Sequence, residues 1–270
     1  MRYEEPRFLK PLSIGITFIF LGLFVVLPLG TIFSEALSEG VQSYTQALRE
    51  QNALKAINLT LLCALIVVPL NTFFGIALAY GIAKFNFRFK TLLTTLIDLP
   101  FAISPAVAGL MLVLLFGSSG LLGEILQKWD IKIIFAFPGI ILASAFVTFP
   151  FVAKELIPLM QQQGTEEEEA ALSLGANGWQ TFFRVTLPNI KWGLFYGAVL
   201  TNARAMGEFG AVAVVSGKFV GITTTMPIYI EILYNEYLYV SAFCIASLFV
   251  LLSVVTLILK GLLEYKKERV

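Results

Sequence analysis

Three charged residues stand inside long apolar stretches of this 270-residue chain. Arg204 and Glu208 are four positions apart, so on a helix they share a face and can form an ion pair. Asp98 precedes Leu99 and Pro100 in another apolar stretch. Since a charge at the centre of a bilayer costs on the order of 3 kcal/mol even on the lenient insertion scale, these residues are candidates for lining an ion translocation path. Structural ion pairs that fix helix packing are the alternative, and the residue types leave both open.

The remaining side chains offer little to an enzyme. The chain has no histidine, which excludes zinc sites that use it, and no convincing nucleophile elbow. Cys63 and Cys244 both lie in apolar stretches, where a small unpaired thiol packs easily. A phosphate-binding Gly-x-x-x-x-Gly-Lys-Ser/Thr loop is absent from the sequence. We therefore expect no catalytic residue, no metal and no cofactor bound by this chain.

A polar stretch at 161–188 separates two apolar ones and has the pattern of a helix, a turn and a second helix. Thr165 followed by Glu168 predicts a capping box, in which Glu168 reaches back to the backbone amide of Thr165. Gly175 predicts a left-handed turn that ends this first helix. A short helix over 179–185 should follow, and Pro188 suits the first turn of the next helix. An amphipathic connector lying on the membrane is the alternative.

The elements that carry these residues are predicted to be membrane-spanning helices. The chain is 57% hydrophobic and 14% charged, which is a membrane-protein composition. A helix needs about 20 apolar residues to span the hydrocarbon. Six stretches predict spans, at about 11–33, 57–83, 92–116, 133–153, 190–216 and 240–262. The sequence thus predicts an all-α, polytopic membrane protein with a single domain over 1–270.

Two local patterns refine these spans. Pro100 and Ser104-Pro105 predict that the third span is kinked or broken, with Asp98 satisfying the freed backbone groups. Small residues predict close helix packing, within the bundle or across a dimer interface. The glycines concerned are Gly193, Gly197, Gly207 and Gly210.

Lysines and arginines predict the orientation of the bundle. With the N-terminus in the cytoplasm, thirteen of them lie on the cytoplasmic side and five outside, with Arg204 in the membrane. Because this bias sets topology, both termini and the 161–188 loop are predicted to be cytoplasmic. The first apolar stretch is too long for a signal peptide and is predicted to be a retained helix.

The 161–188 loop resembles the signature loop of the membrane subunits of bacterial ABC importers. In that family Glu-Ala-Ala is followed by a glycine and then by Ile or Val, one residue, and Leu-Pro. The matching residues here are Glu169, Ala170, Ala171, Gly175, Val185, Leu187 and Pro188. The resemblance implies the type I permease fold with six spans, and a loop through which a separate ATPase drives the permease.

A second resemblance narrows the branch of that family. The stretch 202–211 is similar to oxyanion permeases, and 214–217 with 233–237 resemble the W-type permeases of sulfate/thiosulfate importers. The likeness covers most of 57–262. It implies a bacterial inner-membrane permease that pairs with a sister T-type permease, two ATPase copies that hold ATP and Mg²⁺, and a periplasmic binding protein. A molybdate or tungstate permease is the nearest alternative. An ion-coupled secondary transporter would leave the loop unexplained.

Overall fold

The computed structural model describes residues 9–267, so the termini, predicted to be cytoplasmic, lie outside the described residues. Within them the chain forms fifteen α-helices and two π-helical turns, Gly22–Val26 and Phe182–Thr186. The α-helices are α1 Leu9–Leu21, α2 Leu27–Ala36, α3 Gly40–Arg49, α4 Gln51–Lys84, α5 Lys90–Ala102, α6 Pro105–Phe116, α7 Gly123–Lys128, α8 Phe137–Thr148, α9 Pro150–Gln163, α10 Glu166–Ser173, α11 Gly178–Thr181, α12 Leu187–Met206, α13 Gly210–Ser216, α14 Met226–Asn235 and α15 Tyr239–Lys267. The predicted all-α class is confirmed.

Four helical segments of the described chain are long and apolar enough to cross a membrane: Lys10–Ala36, Gln51–Lys84, Phe137–Gln163 and Tyr239–Ile258. A fifth is counted if α5 and α6, which meet at a bend of 110°, form one span. The predicted break of the third span is therefore confirmed. The bend falls at Ser104, whose ψ of 136° is the extended backbone that a following proline favours.

The structure divides the predicted fifth span, 190–216, into two helices. Helix α12 ends at Met206 and α13 begins at Gly210. The segment is not apolar enough to be counted with the four spans named above. Its polar side chains explain this, since Lys191, Asn202 and Arg204 lower its apolar character. Helix α12 is a central helix of the bundle, packed against α4, α9 and α15.

The fourth span is longer than predicted. Its helix continues beyond 153 because Pro150 occupies the first turn of α9, where the missing amide hydrogen costs nothing. The helical segment runs to Gln163. Lys154, predicted to start the cytoplasmic connection, thus lies within the helix.

Glycines bring α12 and α13 close to their neighbours, as predicted. A Cβ at Gly193 would lie 2.7 Å from Leu159 Cδ2, and one at Gly197 would lie 3.1 Å from Val152 Cα. These contacts pack α12 against α9 within the chain. Gly210 meets Pro105 in the same way, at 2.9 Å, whereas the nearest atom to a Cβ at Gly207 is 3.5 Å away.

Candidate coupling loop and intramembrane charges

Helix α10 begins at Glu166, as predicted, but the predicted capping box is wrong. Thr165 makes no side-chain bond to the backbone of the helix. Its hydroxyl donates instead to Glu169 Oε1 at 2.7 Å. Glu168 is turned away from Thr165 because Lys84, from the end of α4, binds its carboxylate. A charged partner thus displaces a neutral amide as the partner of this glutamate.

The predicted glycine turn at the end of α10 is confirmed. Gly175 has φ +89°. Its amide donates to Leu172 O and the amide of Ala176 donates to Ala171 O, both at 3.0 Å. These two bonds form a Schellman motif, which satisfies carbonyls that the helix end would leave free. The loop turns sharply here, and a side chain at this φ would strain the backbone.

A capping box that the sequence analysis missed opens the second helix of the loop. Asn177 Oδ1 accepts from the amide of Gln180 at 2.8 Å, and Gln180 Oε1 accepts from the amide of Asn177 at 2.9 Å. Asparagine followed three positions later by glutamine was the available signal. The second helix therefore begins at Gly178 rather than at 179.

Glu168 joins three segments of the chain. Lys84 Nζ lies 2.7 Å from Oε1 and 2.8 Å from Oε2 of this carboxylate. The hydroxyl of Thr186, in the π-helical turn before α12, donates to Oε1 at 2.9 Å. The Lys84 and Glu168 side chains are 6% and 14% exposed. Because the pair is largely buried, it is screened little by solvent and salt.

Two further contacts fasten the loop to the start of α12. Asn189 donates through its side-chain amide to the Glu167 carboxylate. Its backbone carbonyl accepts from Gln163 Nε2 at 3.1 Å. Lys84 also donates to the carbonyl of Gly164. The start of α10 is therefore tied to the end of α4 and to the start of α12.

The loop continues into α12 without a break. Helix α11, the π-helical turn and α12 follow one another directly, and the residues at the junctions have right-handed helical backbone. Pro188 cannot donate to a carbonyl one turn back, and the wider π-helical bond from Leu187 N to Phe182 O precedes it. The predicted short helix and the span are thus one rod, with Pro188 inside its length.

The loop carries several large apolar side chains that are mostly exposed. Leu174 is 89% exposed and Trp179 is 75% exposed. Trp179 stacks on Phe183 with ring centroids 6.0 Å apart, and Leu172 is also exposed. The small side chains of Ala170 and Ala171 lie on α10, together with Leu172. Exposed apolar patches of this kind occur where a protein contacts another protein or a membrane.

The two charges in α12 and the turn after it form the ion pair that their spacing predicts. Arg204 Nη1 lies 2.7 Å from Glu208 Oε2. Glu208 is buried, and its Oε1 accepts from the amide of Ala211 at 3.0 Å. Its carboxylate thus caps the start of α13, where the helix dipole favours a negative charge. The geometry gives Glu208 a structural role, while Arg204 remains partly exposed at 36%.

The prediction that Asp98 satisfies the freed backbone groups of the broken span is wrong. Its Oδ1 lies 2.7 Å from Lys154 Nζ. The same ammonium lies 4.5 Å from the centre of the Phe101 ring. The physical reason is that a nearby cation attracts a carboxylate more strongly than neutral amides do. Asp98 therefore pairs α5 with α9.

The bundle, its broken third span and the polar loop define an all-helical, polytopic permease of the type I ABC-importer fold. A chain of a bacterial ABC transporter that imports alginate superposes with a TM-score of 0.78, covering 97% of this chain and 96% of that chain at 18% identity. A chain of an amino acid ABC transporter gives a TM-score of 0.56, with 84% and 96% coverage at 17% identity. At such identities the likeness concerns the fold alone.

Residues 71–269 match the family described as binding-protein-dependent transport system inner membrane component, and the chain belongs to this family. The sulfate transport system permease protein CysW of Synechococcus elongatus is 52% identical over 98% of this chain and 93% of that protein. CysW of Escherichia coli K12 is 49% identical over 94% of this chain and 88% of that protein. The sulfate transport system permease protein CysT of the same strain is 36% identical, covering 91% and 89%.

Proposed function

We propose that this chain is the W-type permease subunit of an ATP-driven sulfate importer. The observation that carries the proposal is the identity of about half of its residues, over nearly the full length, with sulfate permeases of that type. The lower identity to a T-type permease favours the W-type position in a heterodimer. The chain itself is the non-catalytic subunit, and a separate ATPase supplies the energy.

The 161–188 loop is the element through which that ATPase acts. Its exposed apolar face, with Leu174 and Trp179, is the surface that one ATPase copy would engage on this chain. A second copy would engage the sister permease. The residues that match the family loop are Glu169, Ala170, Ala171, Gly175, Leu187 and Pro188. ATP and Mg²⁺ stay in the ATPase. Movement of the second half of the loop then passes to α12, because α11, the π-helical turn and α12 are contiguous helical segments.

Glu168 makes this transmission stiff. Its buried bonds to Lys84 and Thr186 tie the loop to α4 as well as to the rod that leads into α12. A shift of α10 therefore moves the ends of two central helices together. Such a rigid-body shift alternates a helix bundle between inward-open and outward-open states.

The surroundings of the subunit follow from its surface and its charges. We infer a multi-pass position in the bacterial inner membrane, with the 161–188 loop and both termini in the cytoplasm. The apolar window of Lys10–Ala36 is unburied in this chain, so lipid and the sister T-type permease can cover it. A periplasmic binding protein delivers the anion from the opposite side.

The test is ATP-dependent uptake of radiolabelled sulfate by vesicles that contain this chain, its T-type partner, the ATPase and the binding protein. Uptake that needs all four components and resists molybdate is expected. Uptake lost at low molybdate would move the substrate to molybdate or tungstate. Uptake by this chain without an ATPase would overturn the proposal in favour of an ion-coupled transporter.

A further inference from the structure

The pair of Lys154 and Asp98 differs from the other ion pairs that residues 9–267 form. Its two side chains are 47% and 51% exposed, whereas the Arg204–Glu208 pair has one fully buried partner and the Lys84–Glu168 pair is largely buried. The fourth pair, Lys218 with Glu231, is 39% and 32% exposed. Of the charges in these four pairs, Lys154 and Asp98 are therefore the most exposed.

Both charges lie well inside the helices that carry them. Lys154 stands nine positions before the end of α9 at Gln163, about 14 Å along the helix axis. Asp98 stands eight positions after the start of α5 at Lys90, about 12 Å along its axis. Half-exposed charged side chains this far from the ends of apolar helices face water or protein, because exposure to hydrocarbon costs several kcal/mol. The face of α5 and α9 that carries them is therefore not a lipid face.

The surroundings of the Lys154 ammonium leave part of it available. An ammonium has three donors and no acceptor. Asp98 Oδ1 lies 2.7 Å from the ammonium nitrogen on one side, and the Phe101 ring lies on another side with its centre at 4.5 Å. Phe101 is in turn packed on Phe151, with ring centroids 5.2 Å apart. The aromatic pair holds the lysine in place while about half of its side chain stays open.

Arg204 and Lys154 differ in how firmly the carboxylate beside each of them is held. Glu208 is buried and caps α13 through the amide of Ala211, so its carboxylate cannot leave Arg204 without freeing a helix end. Asp98 is half exposed, so water can replace its bond to Lys154 at little cost. Lys154 therefore has a replaceable counter-ion, which is what a site on a conducting path needs.

We propose that Lys154 binds the oxyanion on its way through the permease and that Asp98 competes with the anion for this ammonium. This inference rests on the proposed function. A divalent tetrahedral oxyanion displaces Asp98, accepts from Lys154, and is released when the carboxylate returns. The acid prevents the cation from holding the anion too tightly. No bond to the anion is made or broken covalently.

The experiment measures how sulfate inside the vesicles inhibits uptake by the complete complex. The proposed site lies on α5 and α9, the helices that lead to the predicted cytoplasmic side, so sulfate inside the vesicles can reach it. If its counter-ion is exchangeable, two variants should change this inhibition in opposite directions. Asp98→Asn leaves Lys154 without its competitor, so the internal sulfate concentration that halves uptake should fall about tenfold, the factor that one charged hydrogen bond gives. Lys154→Met should raise that concentration and lower uptake. Lys154→Arg keeps the positive charge, so its uptake should stay within about threefold of that of the unaltered complex.

Matched variants separate this site from a structural pair. Lys191→Met removes another exposed lysine that lies beside an aromatic ring, and it should leave inhibition by internal sulfate unchanged. The double variant Asp98→Asn with Lys154→Met should behave as Lys154→Met alone. Recovery of uptake in the double variant, or equal sensitivity to internal sulfate in all variants, would overturn the inference. If the unaltered complex takes up no sulfate, the proposed function itself has failed.

Discussion

Replacing Glu168 by glutamine tests whether the buried tie between the loop and the spans transmits the work of the ATPase. The change keeps the size of the side chain and its bond to Thr186, but it removes the charge that faces Lys84. The ammonium then remains 6% exposed with a neutral amide and the carbonyl of Gly164 as its neighbours. A buried cation without its counter-charge destabilises the docked position of α10.

The size of the effect follows from the burial of the pair. Breaking a fully buried ion pair costs about 3–5 kcal/mol, and a hydrogen bond to a charged group contributes about 1.5–3 kcal/mol. Glu168 is 14% exposed and glutamine still accepts a bond, so we expect about 2 kcal/mol, at the low end of these values. This corresponds to about 30-fold in the equilibrium between the docked and the released loop.

The assay compares sulfate uptake with ATP hydrolysis in the same vesicles. Uptake by the Glu168→Gln variant should fall more than ATP hydrolysis, because the ATPase still finds the exposed face of the loop. Glu166→Gln, at an exposed position of the same helical turn, is the control and should transport normally. Equal ratios of uptake to hydrolysis in both variants and the unaltered complex would refute the argument.

Three other substitutions test the loop, the packing and the membrane charges. Gly175→Val places a β-branched residue at φ +89°, so it should strain the turn by about 1–2 kcal/mol and uncouple uptake from hydrolysis, whereas Gly178→Ala, with open space around it, should not. Gly197→Val pushes into the backbone at Val152, 3.1 Å from the new Cβ, and should lower the unfolding temperature of the purified complex through a loss of about 1–3 kcal/mol. Glu208→Gln leaves Arg204, which is 36% exposed, without its counter-charge, so a loss of about 1–2 kcal/mol should appear as reduced assembly in the membrane, and normal assembly would contradict the structural role.

Local patterns in the sequence were sufficient for the turns and the break. Gly175 ends α10 because only glycine adopts its backbone without strain, and this requirement is visible in one residue. The break before Pro105 is likewise local, since proline restricts the residue that precedes it. The Arg204–Glu208 pair follows from a spacing of four on one helix. In each case the cause lies within a few positions along the chain.

Contacts between distant segments could not be predicted in this way. Four glutamates follow one another at the start of α10, and local rules do not distinguish Glu168 from its neighbours. Its partner Lys84 is 84 positions away and reaches it only when α4 is packed in the bundle. The ion pair of Asp98 with Lys154 is another contact of this kind, since it joins α5 to α9 across 56 positions of the chain.

Under the proposed function, the helical path from α11 into α12 would link the ATPase to the interior of the bundle. From Gly178 to Met206 the helical path extends for about 40 Å at about 1.5 Å per residue, more than the thickness of the hydrocarbon core. At one end it carries the exposed aromatic face of the loop, and at the other it carries Arg204, next to the capped start of α13. A hinge at Pro188 would absorb a push on the loop, but the π-helical turn keeps the helix unbroken there. The first interruption of this helical path after the loop is the end of α12 at Gly207, next to the Arg204–Glu208 pair.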